Sequence, residues 1–176
     1  MINYKQKLKN ITTFILDVDG VLTNSNVILM PDGSLTRTMN VRDGYALKLA
    51  IDQGYKIFVI TGGKDKQVKE RLNLLGVQYI YLGISNKQDV YEEILLTYDL
   101  KKEEVLYMGD DMPDLEVLKN VGLGTCPSDA IQEIREIVDY ISPISGGMGC
   151  VRDVIEQVLK VKNNWYFKDS KITSSI

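Results

Sequence analysis

The amino-acid sequence predicts an α/β fold built on a parallel sheet. Short apolar segments alternate with amphipathic segments along the chain, as strands and helices do when they follow each other in turn. Several apolar segments are continuous, which is typical of strands covered by helices on both faces. With 176 residues, 44% of them hydrophobic, the chain can bury one substantial core. We therefore expect one domain over residues 1–161 and a loose tail or intersubunit arm over 162–176.

The alternation assigns six strands and six helices. The predicted strands span residues 11–17, 55–60, 78–82, 104–108, 121–124 and 138–141. The predicted helices span residues 43–53, 65–75, 87–98, 113–120, 129–136 and 150–160. The first helix shows the reasoning, since an apolar stripe runs from Ala46 to Ile51 and Gly54 ends the segment. These elements predict a Rossmann-like sheet with helices on both faces.

One segment, residues 26–39, does not follow the alternation. It reads as two short strands joined by a Pro31-Asp32-Gly33 turn, inserted after the first strand. A lone hairpin is marginally stable in water, so we expect this one to pack against another surface. Two surfaces remain open at this point, namely the body of its own domain and the hairpins of neighbouring subunits.

Two carboxylates follow the first predicted strand. Asp17 and Asp19 come directly after a continuous apolar run, and Gly20 lets the chain turn away. Open α/β sheets bind ligands at the carboxyl ends of their strands, and two clustered negative charges need a cation there. A calcium loop is excluded because the glycine comes three residues after Asp17 rather than five, and no Glu stands at the twelfth position. A surface turn and a structural metal site are the remaining alternatives.

Two further predicted strands also end in polar residues. The strand at 104–108 is followed by Asp110, Asp111 and Asp114, and Pro113 suits the first turn of a helix. Asp111 or Asp114 could instead serve only as a helix cap.

The strand at 55–60 is followed by Thr61 and Gly62, and a hydroxyl beside exposed backbone suits phosphate oxygens. Lys87, near the start of a predicted helix, is a candidate fourth element, with a solvated surface lysine as the alternative.

Composition excludes several kinds of enzyme. The chain has no histidine, so Ser-His-Asp and Cys-His catalysis and His-ligated zinc sites are excluded, which favours oxygen-bound magnesium.

Cys126 and Cys150 lack paired spacing, so they are expected to be small core or loop residues of a protein in a reducing compartment. No apolar stretch suits a signal peptide or membrane span, so we expect a cytoplasmic location. A net charge of −3 gives no electrostatic reason to bind nucleic acid.

The polar segments after the predicted strands, in this order, resemble those of the haloacid dehalogenase-like phosphohydrolases. The resemblance implies that Asp17 is the nucleophile and Asp19 the general acid and base. It implies that Thr61 and Lys87 bind phosphate. It also implies a Mg²⁺ ion held by Asp17, the main-chain carbonyl of Asp19 and Asp110. Under this interpretation Asp111 and Asp114 orient Lys87 or metal-bound water.

A narrower resemblance, over about residues 11–160, concerns the 3-deoxy-D-manno-octulosonate 8-phosphate phosphatases. It rests on the segments 17–23, 40–45, 109–111 and 145–153. It implies hydrolysis of a small sugar-acid phosphate through an aspartyl-phosphate intermediate, a step toward lipopolysaccharide. The substrate-binding candidates are Asn40, Val41, Arg42, Asp43, Gly44, Gly62 and Arg71.

Alternatives to these functional assignments remain open. Arg42 could be a structural salt-bridge partner, and Arg71 a cation on a helix surface. Gly63 and Met148 stand where many members of the family carry Arg, so a nine-carbon keto-sugar acid 9-phosphate is the alternative substrate. An alternative of another class is a non-catalytic oligomerisation or regulatory module, against which the retained acidic residues and lysine argue.

The same resemblance bears on assembly. The chain is too short to contain the cap domain with which larger relatives exclude water. We therefore expect the hairpins of neighbouring subunits to associate, so that a neighbour covers the site. The resemblance implies a homotetramer.

Overall fold

The computed structural model describes residues 3–165. The strands are β1 (Thr13–Leu16), β2 (Ile28–Leu29), β3 (Leu35–Thr36), β4 (Lys56–Ile60), β5 (Tyr79–Tyr81), β6 (Val105–Met108), β7 (Leu123–Cys126) and β8 (Tyr140–Ile141). The α-helices are α1 (Tyr4–Lys7), α2 (Val41–Asp52), α3 (Lys66–Leu74), α4 (Lys87–Thr97), α5 (Leu115–Asn120), α6 (Gln132–Arg135) and α7 (Cys150–Val161). Short 3₁₀ helices span Leu8–Asn10, Lys102–Glu104 and Met112–Asp114.

The main sheet has six parallel strands in the order β5-β4-β1-β6-β7-β8. β1 lies between β4 and β6, with Leu16 opposite Val59 on one side and Met108 on the other. This register brings the carboxyl ends of the three central strands to one edge of the sheet. The predicted α/β fold class is confirmed.

The core has two layers because successive side chains of a strand point to opposite faces. On β1, Phe14 and Leu16 pack with α2, α3 and α7, whereas Ile15 packs with α4, α5 and α6. α2 and α7 also pack against each other. The central strands are therefore covered on both faces, which holds their carboxyl ends in fixed positions.

The structure differs from the sequence prediction at a few elements. β7 is shifted by two residues relative to the prediction. It begins at Leu123 and extends through Thr125 and Cys126, which pair with β8. α6 is confined to four residues, and the short α1, capped by the Asn3 side chain, was not predicted. The predicted loose tail begins at residue 162, but Trp165 is buried in the core. Residues 166–176 lie outside the described part of the chain.

The segment after β1 forms a hairpin, in which Ile28 of β2 lies opposite Thr36 of β3 in antiparallel pairing. The apolar side chains of its strands and flanks are exposed, Leu29 to 76%. In this subunit the hairpin therefore does not bury them against its own domain. Its base is tied to the core by a bridge between Thr23 and Met39.

Candidate active site

A cavity of about 410 Å³ lies where β1, β4 and β6 end. Its walls bring together residues far apart in the sequence. They are Asp17, Asp19, Ser25, Thr61, Gly62, Gly63, Ile84, Ser85, Lys87, Asp110, Asp111, Pro113 and Asp114. Every residue to which the sequence analysis gave a role in catalysis or metal binding lines this cavity. Its predicted location at the carboxyl edge of the sheet follows from the parallel register of the strands.

A buried lysine lies between two carboxylates at the floor of the cavity. The Lys87 Nζ atom is 2.8 Å from an oxygen of Asp17 and donates to Asp114 at 2.7 Å. All three side chains are at least nine-tenths buried. Burial alone would lower the pKa of Lys87, but the charges of Asp17 and Asp114 raise it. The lysine is therefore a fixed positive charge beside the predicted nucleophile.

Asp114 organises this floor rather than facing the cavity as a free ligand. One of its oxygens accepts from Lys87 and, at 2.6 Å, from the Tyr107 hydroxyl. Its other oxygen accepts from the backbone N–H groups of Asp110 at 3.1 Å and Asp111 at 3.4 Å. With four donors, this buried carboxylate is satisfied by the protein alone. The predicted contact between Asp114 and Lys87 is thus present.

Asp110 is placed differently, since its Oδ1 atom is buried and has no hydrogen-bond partner among residues 3–165. Carboxylate oxygens of Asp17, Asp110 and Asp114 lie within 4.8 Å of one another. Burial, with repulsion from neighbouring carboxylates, raises the pKa of Asp17 to about 7 and that of Asp110 to about 8. Oxygen ligands crowded in this way suit a hard divalent cation such as Mg²⁺, which would relieve the repulsion.

Gly20 is required by this arrangement. Its φ angle is +88°, which glycine adopts without strain. A Cβ atom at this position would also lie only 1.9 Å from an oxygen of Asp110. The nucleophile loop and the predicted metal ligand can approach so closely only because residue 20 has no side chain.

Thr61 continues the chain from β4 and is buried. Its hydroxyl oxygen accepts a hydrogen bond from the backbone N–H of Gly63 at 3.0 Å. The hydroxyl proton can then point into the cavity, as a phosphate-binding group requires. Gly63 has no side chain to fill this space, and a Cβ there would lie 3.9 Å from a guanidinium nitrogen of Arg37.

The sequence analysis missed Arg37, which follows β3 at the base of the hairpin. Its guanidinium binds both oxygens of Asp19, with Nε to Oδ1 at 2.5 Å and Nη2 to Oδ2 at 3.1 Å. Its remaining Nη1 donates to Asp65 at 3.1 Å. A single arginine directly after a hairpin strand carries no motif, so the sequence offered no signal for this contact.

The predicted substrate-binding residues outside the Thr-Gly loop do not line the catalytic cavity. Val41 and Arg71 line a neighbouring groove of about 440 Å³, on whose wall Arg37 also lies. Gly44 is buried, and a Cβ atom there would lie 3.3 Å from a nitrogen of Arg71. Arg42 is exposed at the start of α2. The roles of these residues toward substrate stay predictions.

Asn40 and Asp43 have identifiable structural contacts. Asn40 caps α2, accepting from the Arg42 backbone N–H at 2.8 Å, and its amide donates to the carbonyl of Gly147 at 3.4 Å. Asp43 accepts from the backbone N–H of Arg152 at 2.7 Å, in the first turn of α7. Burial raises the pKa of Asp43 to about 6. Both side chains thus hold α2 against the segment that leads into α7.

Known proteins similar to this chain are phosphatases and hydrolases of the haloacid dehalogenase-like kind. A family model described as haloacid dehalogenase-like hydrolase matches residues 80–149. The 3-deoxy-D-manno-octulosonate 8-phosphate phosphatase KdsC of Escherichia coli (strain K12) is 37% identical over 153 residues, which are 87% of this chain and 81% of that protein. The phosphatase of the same name from Yersinia pestis is 36% identical over 154 residues, 88% of this chain and 82% of that protein.

Solved structures agree. The crystal structure of the Yersinia pestis phosphatase has a TM-score of 0.90 at 34% identity and covers 93% of this chain and 89% of that one. The Moraxella catarrhalis phosphatase, in complex with magnesium ion, phosphate ion and KDO, has a TM-score of 0.90 at 32% identity, with coverages of 94% and 95%. A cobalt-bound structure of the Haemophilus influenzae phosphatase has a TM-score of 0.87 at 28% identity, covering 94% and 96%.

Proposed function

The chain belongs to the family of 3-deoxy-D-manno-octulosonate 8-phosphate phosphatases, within the haloacid dehalogenase-like hydrolases, and we propose that it hydrolyses this ester in a Mg²⁺-dependent reaction. The products are the free sugar acid and inorganic phosphate. The observation that carries the proposal is the buried Lys87 between Asp17 and Asp114, beside an Asp110 oxygen that has no hydrogen-bond partner in the part of the chain that the structure describes.

Charge repulsion is the first obstacle to the reaction, because a phosphate monoester is a dianion and Asp17 is a carboxylate. Mg²⁺ held by Asp17, the main-chain carbonyl of Asp19 and Asp110 supplies the charge that neutralises both. The protein contributes Lys87, whose ammonium group contacts Asp17 at 2.8 Å. The Thr61 hydroxyl and the backbone of Gly62 line the same cavity and donate to phosphate oxygens.

Asp17 attacks phosphorus and forms an aspartyl-phosphate as the bond to the sugar oxygen breaks. Asp19 gives its proton to that oxygen. It then takes a proton from the water that hydrolyses the aspartyl-phosphate, which restores both residues. Asp19 serves both steps because it lies two residues beyond Asp17 and lines the same cavity.

For the assembly, we propose a homotetramer in which hairpins meet and a neighbouring subunit covers the cavity. Exposed apolar side chains concentrated on one hairpin support this arrangement, since such clustering marks an interaction site. They are Val27, Ile28, Leu29, Met30 and Leu35.

We propose a cytoplasmic location for the enzyme. Cys126 and Cys150 are buried free thiols, in keeping with a reducing compartment. Among residues 3–165, no helix has the length and apolar character needed to span a membrane.

The proposal is tested by phosphate release from 3-deoxy-D-manno-octulosonate 8-phosphate and from a nine-carbon keto-sugar acid 9-phosphate. We expect the higher kcat/KM with the eight-carbon ester, no activity after exhaustive treatment with EDTA, and recovery on adding Mg²⁺. A preference for the nine-carbon ester would reassign the substrate. Full activity without a divalent cation would exclude the mechanism.

A further inference from the structure

Arg37 makes a contact that the proposed reaction does not yet explain. Its guanidinium forms two parallel hydrogen bonds with the Asp19 carboxylate and a third with Asp65. Only 10% of the Arg37 side chain is exposed, compared with 39% of that of Asp19. A bidentate arginine-carboxylate pair fixes the plane of the carboxylate as well as its distance, and a lysine cannot do the same.

Arg37 is itself held from the other side. Asp65 is the N-cap of α3, and its Oδ1 atom accepts from the backbone N–H groups of Gln67 at 2.9 Å and Val68 at 3.2 Å. Its other oxygen, Oδ2, is then free to accept from Arg37. The position of the guanidinium is therefore set by the first turn of a helix anchored in the core through Val68.

We propose that Arg37 is a positioning residue for Asp19: when Asp19 is protonated, one of its oxygens still accepts from Arg37, and this contact aims the O–H on the other oxygen at the leaving oxygen of the ester. This inference rests on the proposed function, because it requires Asp19 to be the proton donor. A general acid acts only within hydrogen-bond reach of its target, and small displacements cost a large part of its contribution. Asp19 is partly exposed, and on its own loop its carboxylate accepts only a long hydrogen bond, from the Thr23 hydroxyl at 3.3 Å, so Arg37 is the main group that fixes it.

Arg37 also connects the hairpin to Asp19. Arg37 comes directly after β3, so its backbone position depends on the hairpin, whereas its guanidinium lies against the catalytic loop. A displacement of the hairpin would move the group that holds Asp19. It would leave in place Asp17 at the end of β1, Lys87 on α4 and Asp114 on the 3₁₀ helix Met112–Asp114.

The test compares two leaving groups, because only a poor one needs a proton. 3-Deoxy-D-manno-octulosonate 8-phosphate releases an alkoxide that must be protonated, whereas p-nitrophenyl phosphate releases a stable phenolate. In Arg37→Met we expect kcat on the sugar phosphate to fall about 10- to 100-fold, part of what a general acid contributes. On the aryl ester we expect a fall of less than about 3-fold, since proton donation contributes little there.

Three further variants complete the experiment. Arg37→Lys keeps the charge but loses the fork, and should recover only part of the rate on the sugar ester. Asp65→Asn still caps α3 but removes the charge that holds Arg37, and should show the same substrate-dependent loss to a smaller degree. Lys69→Met, which removes an exposed cation from α3, is the matched control and should leave both rates unchanged.

An equal loss on both esters in Arg37→Met and Asp65→Asn would overturn the proposal, because it would mean that Arg37 acts on the phosphate or on folding. Full recovery by Arg37→Lys would overturn it too, since charge alone would then suffice. If the unmodified enzyme hydrolysed neither ester, the proposed function itself would fail, and that result is distinct from both.

Discussion

Two clusters at the catalytic edge share one design and differ in where their residues come from. Each places a cation between two carboxylates: Lys87 between Asp17 and Asp114, and Arg37 between Asp19 and Asp65. The Lys87 cluster lies at the floor of the catalytic cavity and is nearly fully buried. The Arg37 cluster joins the hairpin to a helix N-terminus and is partly open to solvent.

Rigidity is needed most where the nucleophile and its cation lie. The nucleophile and its charge partner must stay in place through both half-reactions, and the buried sheet holds them without help from other subunits. The group that donates and accepts protons is held by a segment with few contacts of its own. We therefore expect changes in the Lys87 cluster to affect all substrates alike, and changes around Arg37 to discriminate between leaving groups.

The strongest test removes the attacking charge from the Lys87 cluster. Asp17→Asn should abolish turnover of every phosphate ester at nearly unchanged fold, because the neutral amide is almost isosteric but not nucleophilic. Single-turnover and steady-state phosphate release would measure this. Asp19→Asn is the comparison variant, and should retain slow phosphorylation of Asp17 by p-nitrophenyl phosphate. Appreciable steady-state turnover by Asp17→Asn would contradict the assignment of the nucleophile.

Removing the buried cation tests how far stability depends on the same cluster. Lys87→Met leaves Asp17 and Asp114 facing each other in a buried site, and should lower the free energy of unfolding by about 3–5 kcal/mol. Urea denaturation in EDTA would measure the loss. Lys119→Met, which breaks an exposed pair with Glu116, is the control and should cost less than about 1 kcal/mol. Similar losses in both variants would show that the buried pair is not special.

Charging the hairpin tests the other side of the comparison. Ile28→Asp with Leu35→Lys should dissociate the proposed homotetramer, because burying an unpaired charge at an apolar contact costs on the order of several kcal/mol. Light scattering should show smaller species. Activity should fall chiefly on the sugar phosphate, since the chemical groups of the core sheet remain in place. An unchanged oligomer, or equal loss on both esters, would refute the proposed role of the hairpin.

The last test concerns the dependence of stability on pH in the metal-free protein. The pKa values of Asp17, about 7, and Asp110, about 8, lie above the ordinary value of 3.8, so the folded state binds protons more tightly than the unfolded state. In EDTA, stability should therefore fall as pH rises from about 4 to about 8. Melting temperatures across this range would show it, and saturating Mg²⁺ should flatten the dependence. A rise in stability with pH in EDTA would contradict the crowding of these carboxylates.

The Lys87 cluster could be predicted from the sequence because its residues follow strands whose apolar character is visible. Asp17 and Asp110 come directly after continuous apolar runs, and parallel strands must bring their carboxyl ends together. The strand and helix positions were predicted from the same visible pattern of apolar and polar residues. The placement of Asp114 beneath Lys87 was expected only through the family resemblance, since four donors from three segments had to converge on it.

The alternation of strands and helices, the residues at the strand ends and the exclusion of histidine chemistry could be read from the chain alone, because these features depend on local pattern and composition. The pairing of Arg37 with Asp19, its contact with Asp65 and the burial of Trp165 in the core arise only when the chain has folded. These contacts join segments that are far apart in the chain and are not related by any periodic pattern of apolar residues. They depend on the angles at which the hairpin and the segment 162–165 meet the rest of the domain, and tertiary packing sets those angles.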